Sequence, residues 1–367
     1  MSWRGATAVG WLTLCGSLAA AADADYAVSM RTELRVRSSY PDDRWSPVAA
    51  DVAMLPDLMG DLRWTSTRIS LQYNPSLLLR DRVEASPFIL LNRGRFTLVS
   101  TVGHTILTFS EEAAYGDADV SVLGQTDATG STATLLVATL PYRRSSTTAS
   151  VDSQLSDRVG VTFLASYLVS GSPGNDQLPL QWGPSATARA RLTLDRLDSL
   201  TTTVTGSAAR FAPLSGRVRG QELYLGQVTE TWDRQLSRTL SASLGGGVAL
   251  TREYIPPRVD AEGTIVAPAI GDPIPGEYAE VLPVVTAGLS WREEAHTLLT
   301  LTARMAPFAD RFTGLVYERV EARAQAELRP LRPLTATAAA WAAIGVPLGQ
   351  DQQSGDQVYA AEATVSW

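Results

Sequence analysis

Nucleophilic or acid–base chemistry would have to start from very few groups in this chain of 367 residues. His104 and His296 are its only two histidines, and both fall where the pattern reads as a tight turn between strands. A Ser/His/Asp arrangement needs its base within hydrogen-bond reach of a hydroxyl, and no serine or aspartate spacing ties either histidine to such a partner. The carboxylate pairs Glu111-Glu112 and Glu293-Glu294 are adjacent, so an extended backbone points the two members to opposite faces. We expect solvated turn or loop charges there, not an acid/base pair. All 31 basic residues are arginine, which rules out lysine chemistry. Two histidines and the single cysteine, Cys15, do not make a transition-metal cluster. Glycine-rich phosphate cradles are absent: Gly245-Gly246-Gly247 falls inside a strand pattern, where it relieves crowding or marks a bulge. The residues point away from an enzyme, and no cofactor or metal is expected.

The charges that do form a pattern alternate with apolar residues. Arg31, Glu33, Arg35 and Arg37 interleave with Val28, Met30, Leu34 and Val36, a period of two that puts one oily and one charged face on a single strand. Arg68 opens a similar segment with Ile69, Leu71 and Tyr73 on the other face; Arg189 and Arg191 alternate with alanines; and Arg319, Glu321, Arg323 and Glu327 oppose Val320, Ala322, Ala324 and Ala326. In a helix, apolar residues at i, i+2 and i+4 would scatter around the turn and form no stripe.

The elements that must carry these residues are therefore strands. The same alternation places them at about 26–38, 51–63, 67–79, 86–102, 105–115, 145–155, 158–170, 184–194, 199–209, 220–232, 238–251, 278–291, 297–306, 314–328, 334–346 and 357–367, sixteen in all, with 116–145 able to hold a further pair. Their connections alternate in length. Short ones fall near Trp64-Thr65-Ser66, Gly103-His104, Ser156-Asp157, Asp195 to Asp198, Asp233 to Ser237, Arg292 to His296 and Arg329 to Pro333. Long ones, rich in Gly, Pro, Asp and Asn, cover Tyr40 to Ala50, Gly116 to Ser131, Ser170 to Asp176 and Tyr254 to Glu277. Short turns at one end and long loops at the other divide the periplasmic and extracellular ends of bacterial outer-membrane barrels. The expected fold is an all-β, transmembrane, antiparallel up-and-down β-barrel of about 16 strands over residues 23–367, integral to the bacterial outer membrane and in contact with its lipid.

Composition agrees. Hydrophobic residues make up 45% and charged residues 19%, and beyond residue 22 no apolar run reaches the 18 or more residues a transmembrane helix needs. A chain like this crosses a bilayer only as strands closed into a barrel. The net charge of −7 is dispersed and offers no basic footprint for nucleic acid. Residues 1–22 read as a secretory signal peptide: Arg4, an apolar run from Ala6 to Leu18, then Ala20-Ala21-Ala22 before Asp23. Cys15 lies within it, so no disulfide is expected in the exported chain. Leu14 stands where lipidation of Cys15 would need a small residue. Trp64, Trp232, Trp291 and Trp367 all fall beside short turns, the arrangement of an aromatic girdle.

The last strand resembles the C-terminal signature of outer-membrane barrels. Tyr359, Ala361, Ala363, Val365 and Trp367 occupy alternate positions and the sequence closes on the aromatic residue. The resemblance makes Tyr359, Ala363, Val365 and Trp367 an expected recognition signal for the barrel assembly machinery. The segment Ile69 to Asp81, with Tyr73-Asn74-Pro75 ahead of Leu77-Leu78-Leu79-Arg80-Asp81, and Ala114-Tyr115-Gly116-Asp117 resemble barrels of delta-proteobacterial, especially myxobacterial, polysaccharide secretion systems. That resemblance implies an outer-membrane passage for a secreted polysaccharide and a periplasmic polysaccharide export protein as partner. Arg31, Glu33, Arg35, Arg37, Arg68, Arg189, Arg191, Arg319, Glu321, Arg323 and Glu327 are the expected pore-lining residues. They would form either a partly cationic passage or a ladder of mutually paired Arg and Glu. A general diffusion porin, with 116–145 or 252–277 as constriction loop, and a non-conducting structural or adhesion barrel are the alternatives.

Overall fold

The computed structural model describes residues 23–37, 49–79, 88–119, 139–175, 178–213, 216–217, 219–260, 262–268, 274–293, 297–309, 316–331, 334–347 and 356–366. The expected signal peptide, Trp367 and most of the 116–145 stretch lie outside them. The chain divides into two compact units, Met1–Val151 with Leu168–Pro173, and Asp152–Tyr167 with Gly174–Trp367.

The first unit holds β1 (Asp23–Arg37), β2 (Ala49–Arg63), β3 (Thr67–Tyr73), β4 (Ser76–Leu79), β5 (Phe88–Val102) and β6 (Thr105–Asp119). Each pairs antiparallel with its chain neighbour, β1 with β2 in a register running from Asp23↔Arg63 to Arg37↔Ala49. Both β3 and β4 pair with β2 and with β5. Tyr73 faces Leu58 and Leu77 faces Met54, so the register passes unbroken through Asn74-Pro75. The two pieces are one crossing, interrupted where Pro75 has no amide to give the ladder. β7 (Thr139–Ser156) and β8 (Val159–Gly171) contribute residues to both units.

The second unit continues the meander through β9 (Gln181–Thr193), β10 (Asp198–Phe211), β11 (Glu222–Gln235) and β12 (Leu240–Ile255), then a two-rung hairpin of β13 (Arg258–Val259) with β14 (Ile265–Val266). β15 (Gly276–Glu293), β16 (Thr297–Ala309), β17 (Val316–Leu331), β18 (Leu334–Pro347) and β19 (Asp356–Ser366) complete it. Consecutive long strands pair antiparallel from β9 to β19, with one register shift between Leu328 and Leu331.

With β3 and β4 taken as one, the described residues make sixteen crossings. Their connections alternate as the sequence implies: 64–66, 103–104, 157–158, 194–197, 236–239, 294–296 and 332–333 are tight, whereas 38–48, 80–87, 120–138, 172–180, 212–221, 256–275, 310–315 and 348–355 are longer. Two expectations need correction. Glu111-Glu112 is not a loop pair but lies within β6, inside the strand expected at 105–115, where the two side chains take opposite faces. The strand expected at 145–155 begins at Thr139, and its added residues Leu140 and Tyr142 are buried on the face opposite to Ala149 and Val151.

The two faces of the sheet differ in an unusual direction. Large apolar side chains on one face are exposed: Val28 at 71%, Leu71 at 61%, Leu244 at 57% and Val281 at 70%. Register holds them together, with Val204 opposite Val228 and Val228 opposite Val248. A soluble β-sandwich would bury such a face at about 25 cal/mol per Å² of apolar area. A sheet that leaves it bare requires an apolar surrounding, and a lipid-facing band supplies that. The opposite face carries the Thr, Ser, Arg and Asp, and Gly245 and Gly247 fit close packing on it. A Cβ on Gly245 would meet the Thr286 and Thr231 hydroxyls at 2.5 and 2.7 Å, and one on Gly247 would collide with the Val228 carbonyl. The register through all three glycines is continuous, so they relieve crowding and no bulge forms there.

Candidate functional site

The alternation that exposes the apolar face places the charged side chains together on the other. In the first unit, Arg68 donates to Asp61 through Nε at 3.2 Å and Nη2 at 2.7 Å. Arg63 and Ser70 also donate to Asp61, at 3.3 and 2.5 Å, and Gln72 donates to Asp57. Farther along the face, Arg95 bonds Glu112 at 2.9 Å, and Arg144 stands 4.0 Å from the same carboxylate. Glu111 turns to the apolar face, as neighbours on a strand must, and accepts hydrogen bonds from the Ser145 and Thr147 hydroxyls.

The second unit builds its polar face differently. Ladder pairing sets Arg191 opposite Thr201, Thr201 opposite Thr231, Thr231 opposite Gly245, Gly245 opposite Thr286, Thr286 opposite Arg304 and Arg304 opposite Glu321. The next row toward the tight turns runs Ser199, Asp233, Ser243, Gly288, Thr302, Arg323 and Trp341. Hydroxyls and glycines thus form a low wall across β10 to β15, with arginines at both edges. A concavity of about 330 Å³ opens over it, lined among others by Arg191, Ser199, Ser241, Ser243, Ser290 and Thr302. A larger one, about 820 Å³, lies on the apolar face over the alanine-rich stretch of β15 to β18, among residues such as Ala287, Leu301, Ala324 and Ala340. It is overwhelmingly apolar and carries no chemistry.

The expected pore-lining residues therefore divide. Arg68 is held by Asp61. Arg319 is buried, 3.4 Å from Glu321, with its guanidinium 4.7 Å from the Phe308 ring centre and 5.8 Å from that of Trp341. Glu327 is paired with Arg329 at 2.7 Å. Arg191 reaches only the Ser199 hydroxyl, at 3.3 Å, and among the described residues Arg189 and Arg323 have no carboxylate within ion-pairing distance. Arg31 is exposed, and the side chains of Glu33, Arg35 and Arg37 lie outside the described residues, as do those of Tyr359, Ala363, Val365 and Trp367. The polar face is neither a bare cationic wall nor a complete ladder of pairs: paired in the first unit, and in the second paired chiefly on β17.

Some residues were not singled out from sequence. Arg304 stands in plain alternation with Thr300 and Thr302 and was legible. Asp61 was not, because Leu55-Pro56 blurs the period of β2. Glu253 is also on the polar face, buried at the far end of β12. It accepts from Gln221 at 2.5 Å and from the Val316 amide at 3.4 Å, next to a cluster of Leu223, Leu282 and Val316.

Outside the strands, the turn at 194–197 is closed by Asp195, whose carboxylate accepts the Leu197 and Asp198 amides at 2.7 and 2.9 Å. Those two bonds hold its pKa below the usual carboxylate range. On the 212–221 connection, Arg219 pairs at 2.8 Å with Glu222 at the start of β11, which raises the guanidinium pKa further above its ordinary value. His104 occupies the 103–104 turn, and His296 lies outside the described residues.

Comparison with known proteins agrees with this architecture. The EpsX exopolysaccharide export family matches residues 17–367. No curated protein matches the chain. Among solved structures, the F3-3 variant of the FrpB iron transporter from Neisseria meningitidis is 8% identical at TM-score 0.51, over 95% of this chain and 60% of that one. The F5-1 variant is 9% identical at TM-score 0.50, over 95% and 61%. The open form of the ferric-catecholate import receptor Fiu from E. coli K12 is 10% identical at TM-score 0.48, over 86% and 62%. The chain spans about three fifths of the length of these structures. The feature shared with the two FrpB structures is the fold, an antiparallel up-and-down β-barrel of the outer-membrane type.

Proposed function

We propose that this chain, which belongs to the EpsX exopolysaccharide export family, is an integral outer-membrane barrel whose polar face lines the passage of a secreted polysaccharide. The observation that carries the reading is the wall of Thr, Ser and Gly across β10 to β15, flanked by Arg191 and Arg304 and backed by an exposed apolar face. Short hydroxyl side chains exchange hydrogen bonds with a hydrated, hydroxyl-rich chain at little cost, and the low profile of glycine leaves room for it. Lipid meets the apolar face. A periplasmic export protein would deliver the polymer at the tight-turn end, and β19 would present the alternating Tyr359, Ala363 and Val365 to the barrel assembly machinery.

The test is single-channel recording of the refolded protein in a planar bilayer, with heat-modifiable gel mobility as the control for folding. Stable conductance steps, together with loss of secreted polymer on deletion of the gene, support the passage; secretion that persists without the gene overturns it. A second reading, a barrel shut at rest, is favoured by the buried Glu253–Gln221 contact and the Leu223, Leu282 and Val316 cluster, which fill the polar face at the long-loop ends of β11, β12 and β15. In that state the folded barrel is silent until a partner or the polymer opens it.

A further inference from the structure

Four arginines on the wall of the second unit make no ion pair with a carboxylate among the described residues, and this bears on which polymer it suits. Arg304 and Arg191 lie on one ladder row, five strand spacings apart, or about 24 Å along the sheet at about 4.8 Å per strand. Arg189 lies one rung pair beyond Arg191, opposite Thr203, and Arg323 lies on the adjoining row between Thr302 and Trp341. Among the described residues, Arg189, Arg304 and Arg323 make neither an ion pair nor a hydrogen bond, and Arg191 has only the Ser199 hydroxyl. The nearby acids are engaged elsewhere or stand at the ends of the strands. Glu321 is bridged to Arg319, Glu327 to Arg329 and Glu253 to Gln221. Asp198 takes the Trp232 indole N–H and lies 3.9 Å from Arg234. Asp233, between Ser199 and Ser243, and Glu280, opposite Thr251, are the remaining carboxylates on this side of β11 to β15. Arg189, Arg191, Arg304 and Arg323 are all exposed, so their guanidinium groups are open to carboxylates and other oxyanions, which they bind through paired N–H donors.

Resting on the passage reading above, we infer that the wall between Arg189 and Arg323 is a binding track for an acidic polysaccharide, one bearing anionic substituents along a hydroxyl-rich backbone. The spacing decides against a single small anion: about 24 Å separates Arg191 from Arg304, so one compact ion cannot reach both, whereas an extended chain several sugar residues long can. Hydroxyls of the polymer meet Thr201, Thr231, Thr286 and Thr302, and its anionic groups meet the arginines at either edge.

The experiment is calorimetric titration of the full-length barrel in detergent with three size-matched probes: oligogalacturonate, sulfated dextran oligomers and neutral dextran oligomers. Binding of oligogalacturonate, weakening steeply with salt and by about tenfold for each of R191Q, R304Q and R323Q, supports the track. Arg304→Lys, which keeps the charge, should restore part of the affinity, and salt dependence of the unaltered protein gives the same reading if a variant fails to fold. Tight binding of sulfated dextran alone keeps the acidic track but assigns it to sulfate-type substituents. Equal affinity for neutral and acidic probes, no binding of any probe, or acidic binding indifferent to salt and to the substitutions overturns the inference. Conductance in the bilayer is read separately, so a conducting barrel that ignores acidic probes leaves the passage standing, and a probe-binding barrel through which nothing passes removes the passage alone.

Discussion

Asp61 and Arg68 meet across β2 and β3 in a two-pronged ion pair, Nε at 3.2 Å and Nη2 at 2.7 Å, although Arg68 stands opposite Arg63 in the ladder and not opposite Asp61. The diagonal reach lets one carboxylate answer both arginines, since Arg63 also donates to it at 3.3 Å. Two like charges directly across a ladder would otherwise repel.

Replacing that carboxylate should therefore cost more than one contact. Asp61→Ala leaves Arg63 and Arg68 opposed and the Ser70 hydroxyl without its acceptor. We expect a loss of about 2 kcal/mol, read as an earlier unfolding transition in urea and a lower temperature for the heat-modifiable gel shift. Arg63→Ala in the same background should recover part of the loss by removing the repulsion; no recovery would mean the two arginines do not sense each other.

Gly247 tests the close approach of β11 and β12. A Cβ there meets the Val228 carbonyl, which is backbone and cannot rotate away. Gly247→Val should destabilise by about 1–3 kcal/mol and lower the yield of folded barrel. Gly226→Ala, at a glycine with open space around its Cβ position, should leave the yield unchanged.

Glu253 tests whether the long-loop end is held shut. Glu253→Ala removes the acceptor for both Gln221 and the Val316 amide, and we expect the frequency of open events in planar bilayers to rise severalfold. Leu240→Ala, on the apolar face at the opposite end of the same strand, serves as the control and should not alter it.

Asp195 carries a pH signature. Its carboxylate pKa is lower in the folded turn than in the unfolded chain, so the stabilisation it supplies is complete at neutral pH and is lost as pH falls through its folded value. Asp195→Ala should unfold earlier than the unaltered protein at pH 7. The gap between them should shrink on acidification below about pH 4, where an ordinary carboxylate protonates. A gap that stays constant down to the acid limit would assign the effect to turn shape alone.

Strand number, strand faces and the alternation of turn lengths were legible because all three rest on a period of two, and that signal is local. Arg189, Arg191 and Arg323 could be assigned a face from their apolar neighbours at i±1 alone. Partners could not be read that way, since pairing depends on register across strands: nothing near Arg68 in the sequence marks Asp61, and Glu253 finds Gln221 only because β11 and β12 align Glu222 with Tyr254. Pro75 shows the same limit from the other side. Its missing amide breaks the ladder between β3 and β4, yet Tyr73 and Leu77 keep one common register, so a break in hydrogen bonding did not become a break in the crossing.

Apart from the β13–β14 hairpin, each strand pair with an assigned register joins consecutive crossings, so an ancestral chain could have widened or narrowed by whole hairpins without disturbing any pre-existing partner. A duplicated hairpin brings its own turn, its own oily stripe and its own complement of inward hydroxyls and arginines. Bore and charge would then be inherited together, and members of one lineage should differ by paired strands, added two at a time.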